Sequence, residues 1–493
     1  MKKYICNKTV AALALALGLS GCNSFLDEVP DKRTEINTPE KIQELLTSAY
    51  PDGLYMLVAE SMSDNADDKT TVTENNTVNT DAYHWKDNTE VRQDTPTHYW
   101  NAAYTAIAAA NQALESVQEI GKGKNLNYLK GEALVARAYA HFMLVTFWAK
   151  PYNPATAATD VALPYVKTPE KVVFANYKRI SIKEYYDLIE QDLLEGIALI
   201  DNSKYKQPKF HFTKEAANGF ATRFYLAKGE WEKVINHANA VLGNDPAKNL
   251  RNVVAYAQLS YSQNKNLYVS SSEPANLLIS GNISDYSIRF GSVKYGLTIN
   301  VARNIIGQRS HPTLNNWAYG IYGNTENLNI PRFLQYFKYN NISAGTGYRY
   351  TMASLLSYDE VLLNRVEANL MLGNTAEVIA DLNLYLPYKT QGGTINPALT
   401  EAIMNRRYAG VGTAFDPNYS LTTQQREWLQ CIADVRRAEF LHLGLRWFDI
   451  KRWGMTVTHT DSKGTYELKK DDPRREWQIP EDAVKAGLPA NPR

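Results

Sequence analysis

The feature that most constrains the fold is a segment that occurs twice. The stretch "YLAKGEWEKVINHANAVL", which begins at Tyr225, aligns without a gap on "NLMLGNTAEVIADLNLYL", which begins at Asn369. Both copies place a glycine at the same offset, Gly229 in the first and Gly373 in the second. Apolar residues recur three and four positions apart on each side of the glycine, which predicts a helix, a tight turn and a second helix.

This pattern resembles the tetratricopeptide repeat, although two amphipathic helix pairs also share periodicity by chance. Such units bury their apolar faces only by stacking on one another, so further helix pairs are expected. The segment from Trp100 to Trp148 contains two long apolar patterns, and a capping sequence at Ser181 opens another helix that runs to about Ile200. Thr38 followed by Pro39 marks the start of the first helix.

The first residues of the chain have the pattern of an export signal. A basic start and an apolar run from Thr9 to Leu19 lead into "LSGC", which ends at Cys22. This ending resembles the lipobox of bacterial lipoproteins, which implies cleavage before Cys22 and acylation of its thiol and new amino group. The alternative is an ordinary secretory signal with a chance cysteine. The apolar run is too short for a spanning helix, so the prediction is a lipid-anchored protein.

Composition excludes several classes of function. The chain has 53 basic and 52 acidic residues, a formal charge of +1, which provides no general attraction for nucleic acid. After loss of Cys6 and acylation of Cys22, Cys431 is the one free thiol, so neither a disulfide nor a cysteine metal cluster is expected. The acidic stretch around Asp64, Asp67 and Asp68 lacks the regular alternating ligand spacing of an EF-hand, so we assign no metal there, and the sequence leaves open whether a calcium ion binds it. We predict no metal and no cofactor.

A basic and aromatic block near the carboxyl terminus, "GLRWFDIKRWG", has two interpretations. Its alternation of cations and tryptophans is typical of single-strand nucleic-acid sites. Asp449, however, lies three residues from both Arg446 and Arg452, which predicts ion pairs beside packed indoles. We favour the structural interpretation, and we likewise expect Arg137 and Arg365 to be buried, paired scaffold residues.

Two parts of the chain lack helical periodicity. Residues 64–99 are polar and are predicted to form a long surface loop. Residues 246–351 are rich in Asn, Ser, Gly and Tyr and contain short β-like runs such as "NLYVSS" and "YGLTIN". A connection this long inside a compact domain is usually functional, so these two regions are the expected places for a ligand.

Several blocks together resemble the SusD/RagB family. They are the lipobox, "WNAAYTAIAAAN", "GEALVARAYAHFMLV", "YDEVLLNRVEANLMLG", "VRRAEFLHLGLRWFDIKRWG" and "WQIPEDAV", in this order. The resemblance implies a mainly α-helical, tetratricopeptide-repeat-like scaffold on the outer membrane of a Bacteroidetes cell, facing the exterior. It also implies capture of oligosaccharide and delivery to a SusC-type TonB-dependent transporter. Val435 and Leu443 depart from the family pattern, which usually has acidic residues there.

The expected division of the chain follows from these observations. It is a signal peptide at 1–21, an acylated tether at 22–37, an N-terminal helical part at 38–245, an irregular insertion at 246–351 and a C-terminal helical part at 352–493. Neutral glycans offer apolar faces and hydroxyls, so their sites combine flat aromatic rings with amides. Two stretches, "DAYHWKDN" and "NNWAYGIYGN", have this composition. The predicted glycan-binding residues are Tyr83, Trp85, Asn88, Asn315, Trp317, Tyr319 and Tyr322.

Two other classes of function stay open at this point. A surface glycoside hydrolase would need two facing carboxylates, which sequence cannot exclude, but the chain contains no Gly-x-Ser-x-Gly elbow, no metal motif and no phosphate loop. An adaptor or lid for a non-glycan cargo such as a peptide would use the repeat face to bind a protein partner. We predict a binding protein with no catalytic residues.

Overall fold

The computed structural model describes residues 36–121, 125–170 and 177–493. The predicted signal peptide, the acylation at Cys22 and all but the end of the tether lie outside these residues. Within the described part of the chain, no helix is long and apolar enough to cross a membrane.

The chain is mainly α-helical, as predicted. Most of the long helices begin at a Ser, Thr or Asn cap whose side chain accepts a main-chain N–H bond, including α1 at Thr38 and α6 at Ser181. The helices are α1 (Pro39–Leu46), α2 (Met56–Met62), α3 (Thr77–Tyr83), α4 (Pro96–Ile120), α5 (Asn127–Trp148), α6 (Ile182–Leu199), α7 (Lys214–Lys228), α8 (Trp231–Leu242), α9 (Val253–Tyr256), α10 (Tyr261–Tyr268), α11 (Tyr286–Arg289), α12 (Ile299–Ile306), α13 (Tyr358–Met371), α14 (Thr375–Tyr385), α15 (Glu401–Tyr408), α16 (Thr423–Glu439), α17 (Leu445–Arg452) and α18 (Glu481–Lys485).

The duplicated segment folds as predicted into two helix pairs, α7–α8 and α13–α14. Each pair turns at its shared glycine, where φ is +74° at Gly229 and +78° at Gly373. A left-handed backbone of this kind costs other residues about 1–2 kcal/mol, which explains glycine at both positions. Helix α13 packs against both α7 and α8, so the two pairs stack and share one core.

The two scaffold arginines are paired, as expected, but only Arg137 is buried and Arg365 is partly exposed. Arg137 forms a two-pronged ion pair with Asp192, and Arg365 forms one with Asp381. The expectation for Asp449 is correct only in part. Its carboxylate accepts from Arg452, but its other partner is Arg436 in α16.

Arg446 reaches out of its own helix. It pairs with Asp64, through two bonds of 2.8 Å, and not with Asp449 as predicted. A spacing of three residues in a helix allows an ion pair between Arg446 and Asp449. The Asp64 carboxylate, which is distant in the sequence, instead accepts two hydrogen bonds from the Arg446 guanidinium. Asp64 is therefore a structural ion-pair partner, and among the described residues no cluster of His, Cys, Asp and Glu is suited to hold a metal ion.

The segment 64–99 is not the surface loop that was predicted. It contains the short helix α3 and the start of α4, and it lies on the core because Tyr83 and Trp85 are buried. Asn, Asp and Thr are frequent here because they cap helices; the side chains of Asn76 and Thr95 accept the N–H bonds at the two helix starts.

Residues 246–351 contain most of a three-stranded antiparallel sheet, whose central strand continues to Ser357. The strands described in the chain are β1 (Asp67–Asp68), β2 (Asn276–Ile283), β3 (Tyr295–Gly296), β4 (Leu334–Asn341), β5 (Thr346–Ser357), β6 (Val457–Asp461) and β7 (Gly464–Leu468). The three-stranded sheet has the order β2-β5-β4, and two small sheets pair β1 with β3 and β6 with β7. The "NLYVSS" run is not a strand, since its first three residues end α10, and "YGLTIN" supplies only the short strand β3 before α12 begins.

Candidate ligand-binding surface

The first predicted loop is built into the core. Tyr83 is stacked between Tyr295 and His459, with each pair of ring centroids 4.0 Å apart, and Trp85 stacks on the other face of His459 at 4.5 Å. The indole N–H of Trp85 donates to the main-chain oxygen of Met62 at 3.0 Å. Because their faces are covered, the prediction of a sugar platform is corrected for Tyr83 and Trp85. Both rings close the loop onto the scaffold.

Asn88 is the more accessible member of this loop. It is half-buried, and its amide donates to Asp81 at 2.8 Å. It lines a small cleft together with Lys86 and Asp87. Trp85 also lines this cleft but is only 3% exposed, so Asn88 stays a predicted ligand residue without an accessible ring from its own loop.

The first two aromatic rings of the second predicted loop, Trp317 and Tyr319, are also buried. Trp317 is 7% exposed and donates its indole N–H to Ser310 at 2.9 Å, while Tyr319 is 9% exposed and donates its hydroxyl to Glu439 at 2.6 Å. A buried ring with a satisfied polar group packs and does not stack on a ligand. The platform prediction is therefore also corrected for Trp317 and Tyr319.

Asn315 and Tyr322 lie nearer the surface of this loop. Asn315 joins two segments, since its side chain exchanges bonds of 3.2 and 3.4 Å with the main chain of Asn396. The ring of Tyr322 is half-buried and meets Tyr261 edge to face at 5.2 Å, at the mouth of a narrow cleft that Tyr256 and Asn264 also line. The two predicted loops pack on different partners, so the structure does not unite them in one site.

The accessible aromatic residues lie instead on the hairpin formed by β4, its turn and the outer half of β5, residues 334–350. We call this segment the aromatic hairpin. The exposed fractions of its side chains are 40% for Tyr336, 41% for Phe337, 56% for Tyr339 and 51% for Tyr348, and Tyr350 is half-buried. A contiguous exposed apolar surface of this kind is typical of an interaction site.

Local sequence explains why this segment forms a hairpin. Aromatic residues favour strands, and this segment contains five of them, three in β4 and two in β5. The turn is closed by bonds from Ala344 N to the Asn341 side chain, 2.9 Å, and from Gly345 N to Ile342 O, 3.2 Å, with a φ of +66° at Gly345. In this register Tyr336 lies opposite Tyr350 and Lys338 lies opposite Tyr348.

The two faces of the hairpin each carry rings. On one face Tyr336 and Tyr350 stack with centroids 5.2 Å apart, and the Lys338 Nζ lies 5.6 Å from the centre of the Tyr350 ring. On the other face Phe337 and Tyr339 meet edge to face at 4.8 Å. Successive residues of a strand lie on opposite faces of the sheet. The five rings therefore form two aromatic surfaces, one on each face of the hairpin.

The base of the hairpin is held rigidly by the core. The inner half of β5 is buried, and the Asp52 carboxylate accepts from Ile283 N at 2.8 Å and from the Tyr350 hydroxyl at 3.4 Å. Burial raises the pKa of Asp52, although these two bonds oppose the increase. An exposed surface on a fixed base can bind a ligand without ordering a loop first.

The hairpin is not one of the two stretches predicted from composition, "DAYHWKDN" and "NNWAYGIYGN". A usable signal is present in "LQYFKYNN" and "TGYRYT", two runs rich in aromatic residues that are separated by a turn containing Gly345. Neighbouring residues of a strand lie on opposite faces, so the adjacent Tyr336 and Phe337 predict rings on both faces of the hairpin.

A second concave region lies beside the carboxyl-terminal segment. This cavity of about 1080 Å³ is slightly larger than most ligand pockets, and Lys150, Arg179 and Lys451 are among its lining residues. Lys451 donates to the main-chain oxygens of Thr146 and Ala149, so its ammonium is already engaged. The described lining residues include two aromatic rings, of which Trp148 is fully buried, so the cavity provides less of a sugar platform than the hairpin does.

Comparison with protein-family models gives two matches along the chain. A model described as "Starch-binding associating with outer membrane" matches residues 24–226, and a model described as "SusD family" matches residues 307–486. A curated relative, SusD-like protein P2 of Formosa agariphila, is 21% identical over 426 residues, which are 78% of this chain and 76% of that protein.

Solved structures with the same fold cover nearly the whole chain. A SusD superfamily protein from Bacteroides fragilis has a TM-score of 0.68 at 21% identity and covers 92% of this chain and 98% of its own. One from Bacteroides thetaiotaomicron has a TM-score of 0.64 at 17% identity and covers 92% and 100%. A SusD-like carbohydrate binding protein from Bacteroides vulgatus has a TM-score of 0.63 at 17% identity and covers 91% and 96%.

Proposed function

Since the chain belongs to the SusD/RagB family, we propose that it is a lipid-anchored surface protein that captures oligosaccharide on the aromatic hairpin and delivers it to a SusC-type TonB-dependent transporter. The observation that supports saccharide capture is the presence of five exposed or half-buried aromatic rings on one hairpin whose base packs on the core. Membership of the family supports the carbohydrate and the transporter.

The chemistry of the hairpin suits a saccharide. A sugar ring presents an apolar C–H face, which gains dispersion and hydrophobic energy on an aromatic ring, and a rim of hydroxyls that need hydrogen-bond partners. The tyrosine hydroxyls and the side-chain amides of Gln335, Asn340 and Asn341 provide donors and acceptors beside the rings. A wet, partly exposed site of this type can use bridging waters without becoming weak.

The anchor and the transporter complete the proposal. Acylated Cys22 would hold the protein on the outer membrane, facing the cell exterior, through the tether at 22–37. The stacked helix pairs provide an extended, rigid surface for a protein partner. Asn88, Asn315 and Tyr322 stay in the proposal as further ligand contacts, because their side chains are not fully buried.

A hydrolase is the main alternative, and the described residues favour it less. Glu60 has the raised pKa of a general acid, about 7, because it is buried. Its oxygens, however, accept from Gly444 N at 2.7 Å and from the Asn65 amide at 3.1 Å, so the carboxyl group holds two chain segments together. Capture and transfer need no chemical step on this protein.

The test uses soluble protein that begins at residue 23. It is applied to a glycan array, hits are measured by calorimetry, and the mixtures are checked for cleavage products. The double variant Tyr339→Ala/Tyr348→Ala should lose binding, whereas Leu372→Ala, which changes a side chain 40% exposed on the second repeat turn, should retain it. Unchanged binding by the double variant would refute the hairpin site, and cleavage products would support the hydrolase.

Delivery is tested separately in a Bacteroidetes host. A strain that carries the double variant should produce and anchor the protein but grow slowly on the captured saccharide. Normal growth of this strain would contradict the proposed role of the hairpin in uptake. Growth of a strain without the whole gene provides the lower reference.

A further inference from the structure

The charge of the aromatic hairpin differs from that of the rest of the chain. Residues 334–357 contain Lys338 and Arg349 and no aspartate or glutamate, whereas the whole chain carries a formal charge of only +1. The two cations lie in the same outer half of the hairpin as the exposed rings. A local positive charge among accessible rings is a property of the ligand surface itself.

Lys338 is available to a ligand. Its side chain is exposed, and its Nζ lies over the ring of Tyr350 at 5.6 Å. Across the described ranges of the chain, no carboxylate comes within 4.0 Å of this ammonium. A cation–π contact does not use the ammonium N–H groups as hydrogen-bond donors to an acceptor, so they stay accessible to a ligand anion.

Arg349 is also available, on the opposite face. It lies opposite Phe337 in the sheet register, so the two side chains belong to the same face of the hairpin. Its ion pair with Asp285 is long, 3.5 Å, and the arginine side chain is 48% exposed. Exposed pairs of this length contribute little, so a better-placed anion can replace Asp285.

The acidic groups near the hairpin lie at its base. Asp52 accepts from Ile283 N and Tyr350, and Asp94 accepts from Ser284 at 2.5 Å and from Asp285 N at 2.8 Å. The carboxylates of Asp52 and Asp94 therefore already accept hydrogen bonds that stabilise the base of the hairpin. Asp285 is the third carboxylate at the base and pairs with Arg349, and the charges of Asp52 and Lys338 also interact. The negative charge therefore lies at the base, and the exposed side chains of the two cations lie in the outer half of the hairpin.

We infer that the saccharide captured by the aromatic hairpin is acidic and carries carboxylate or sulfate groups that pair with Lys338 and Arg349 while its rings stack on the tyrosines. The planar guanidinium group of arginine can donate two hydrogen bonds to one carboxylate or sulfate group. The ammonium group of lysine provides a positive charge on a flexible side chain. This inference rests on the proposed function and specifies the class of its ligand.

The test compares three probes with soluble protein that begins at residue 23: an oligogalacturonide, which carries carboxylates, a carrageenan oligosaccharide, which carries sulfates, and neutral maltoheptaose. We expect at least one acidic probe to bind tenfold or more tightly than maltoheptaose. Its binding should weaken as sodium chloride rises from 50 to 500 mM, because salt screens exposed charges. The comparison of the two acidic probes identifies which anion is preferred.

Matched variants separate this inference from the proposed function. Lys338→Gln/Arg349→Gln should weaken the acidic probe at least tenfold, whereas Lys463→Gln/Arg303→Gln, which removes two exposed cations elsewhere, should not. Neutral and acidic probes that bind equally, with loss only in Tyr339→Ala/Tyr348→Ala, would overturn the acidic ligand and retain the hairpin site. Binding that neither hairpin variant affects would overturn both.

Discussion

Tyr336 and Tyr350 face each other directly across the two strands of the aromatic hairpin, with ring centroids 5.2 Å apart and ring planes 22° from parallel. The hydroxyl of Tyr350 also reaches Asp52. This pair therefore links the exposed part of the hairpin to its buried base. Cross-strand aromatic pairs contribute about 0.2–1 kcal/mol to a sheet, so this pair adds to the stability that the hairpin gains from its backbone bonds and its base.

Replacing the inner ring should loosen the hairpin locally. Tyr350→Ala removes both the stacking and the bond to Asp52, so amide hydrogens of residues 334–350 should exchange faster while those of α13 stay protected. Tyr350→Phe keeps the ring and serves as the control. Equal exchange in Tyr350→Ala and the unaltered protein would show that the pair does not order the hairpin.

Replacing an outer ring should affect the ligand and not the fold. Tyr348→Ala should weaken saccharide binding by about 1–3 kcal/mol, by analogy with the stacking of bases on aromatic side chains. Its melting temperature should change little because the side chain is 51% exposed. Calorimetry and thermal unfolding measure the two effects; a large fall in melting temperature would mean that the ring is structural.

Trp317→Ala should give the opposite result. The ring is buried and its N–H is bonded to Ser310, so truncation should destabilise the protein by about 3–5 kcal/mol through cavity formation. Folded protein should keep its affinity for saccharide. Urea unfolding measures the stability, and lost affinity at unchanged stability would restore Trp317 as a ligand residue.

The ion pair between Asp64 and Arg446 should make stability depend on acid. Burial opposes ionisation of Asp64, but Arg437 and Arg446 outweigh it and hold the pKa of its carboxyl well below its usual range. The folded state therefore binds fewer protons than the unfolded state. This contribution is complete above the unfolded pKa of about 4 and is lost as the pH falls toward the folded value.

A single variant separates the contribution of Asp64 to acid-dependent stability from the contributions of the other carboxylates. Asp64→Asn should cost about 3 kcal/mol at pH 7, the lower end for breaking a buried pair, because the Asp64 side chain is still 29% exposed. At pH 3 the difference from the unaltered protein should shrink. Urea unfolding at both values checks this, and an equal difference at pH 7 and pH 3 would show that the charge of Asp64 is irrelevant.

The lipobox prediction is tested by Cys22→Ser. The thiol carries the acyl chain and the core lies elsewhere, so the variant should fold normally but appear in the soluble fraction or remain unprocessed. Labelled palmitate incorporated into the unaltered protein and absent from the variant confirms the anchor. Stable membrane attachment of the variant would contradict it.

Local sequence predicted the helical scaffold well because its determinants are local. The apolar period of α4 and α5, the cap at Ser181 and the glycines at 229 and 373 each act within a few residues. The ion pairs were predicted less well. Asp192 and Arg137 are 55 residues apart, and Asp64 and Arg446 are 382 residues apart, so spacing could not identify either partner.

The helix pairs were predictable from the amino-acid sequence alone, as were the resemblance to the SusD/RagB family and the many tyrosines and tryptophans outside the repeats. Which of these rings a ligand can reach depends on the packing of distant segments. Tyr83 and Trp85 are covered by His459, which lies more than 370 residues further along the chain, whereas Tyr339 and Tyr348 protrude from the sheet. The exposure of a side chain depends on which other parts of the chain pack against it. Composition does not specify these contacts, so it does not predict which aromatic rings stay exposed.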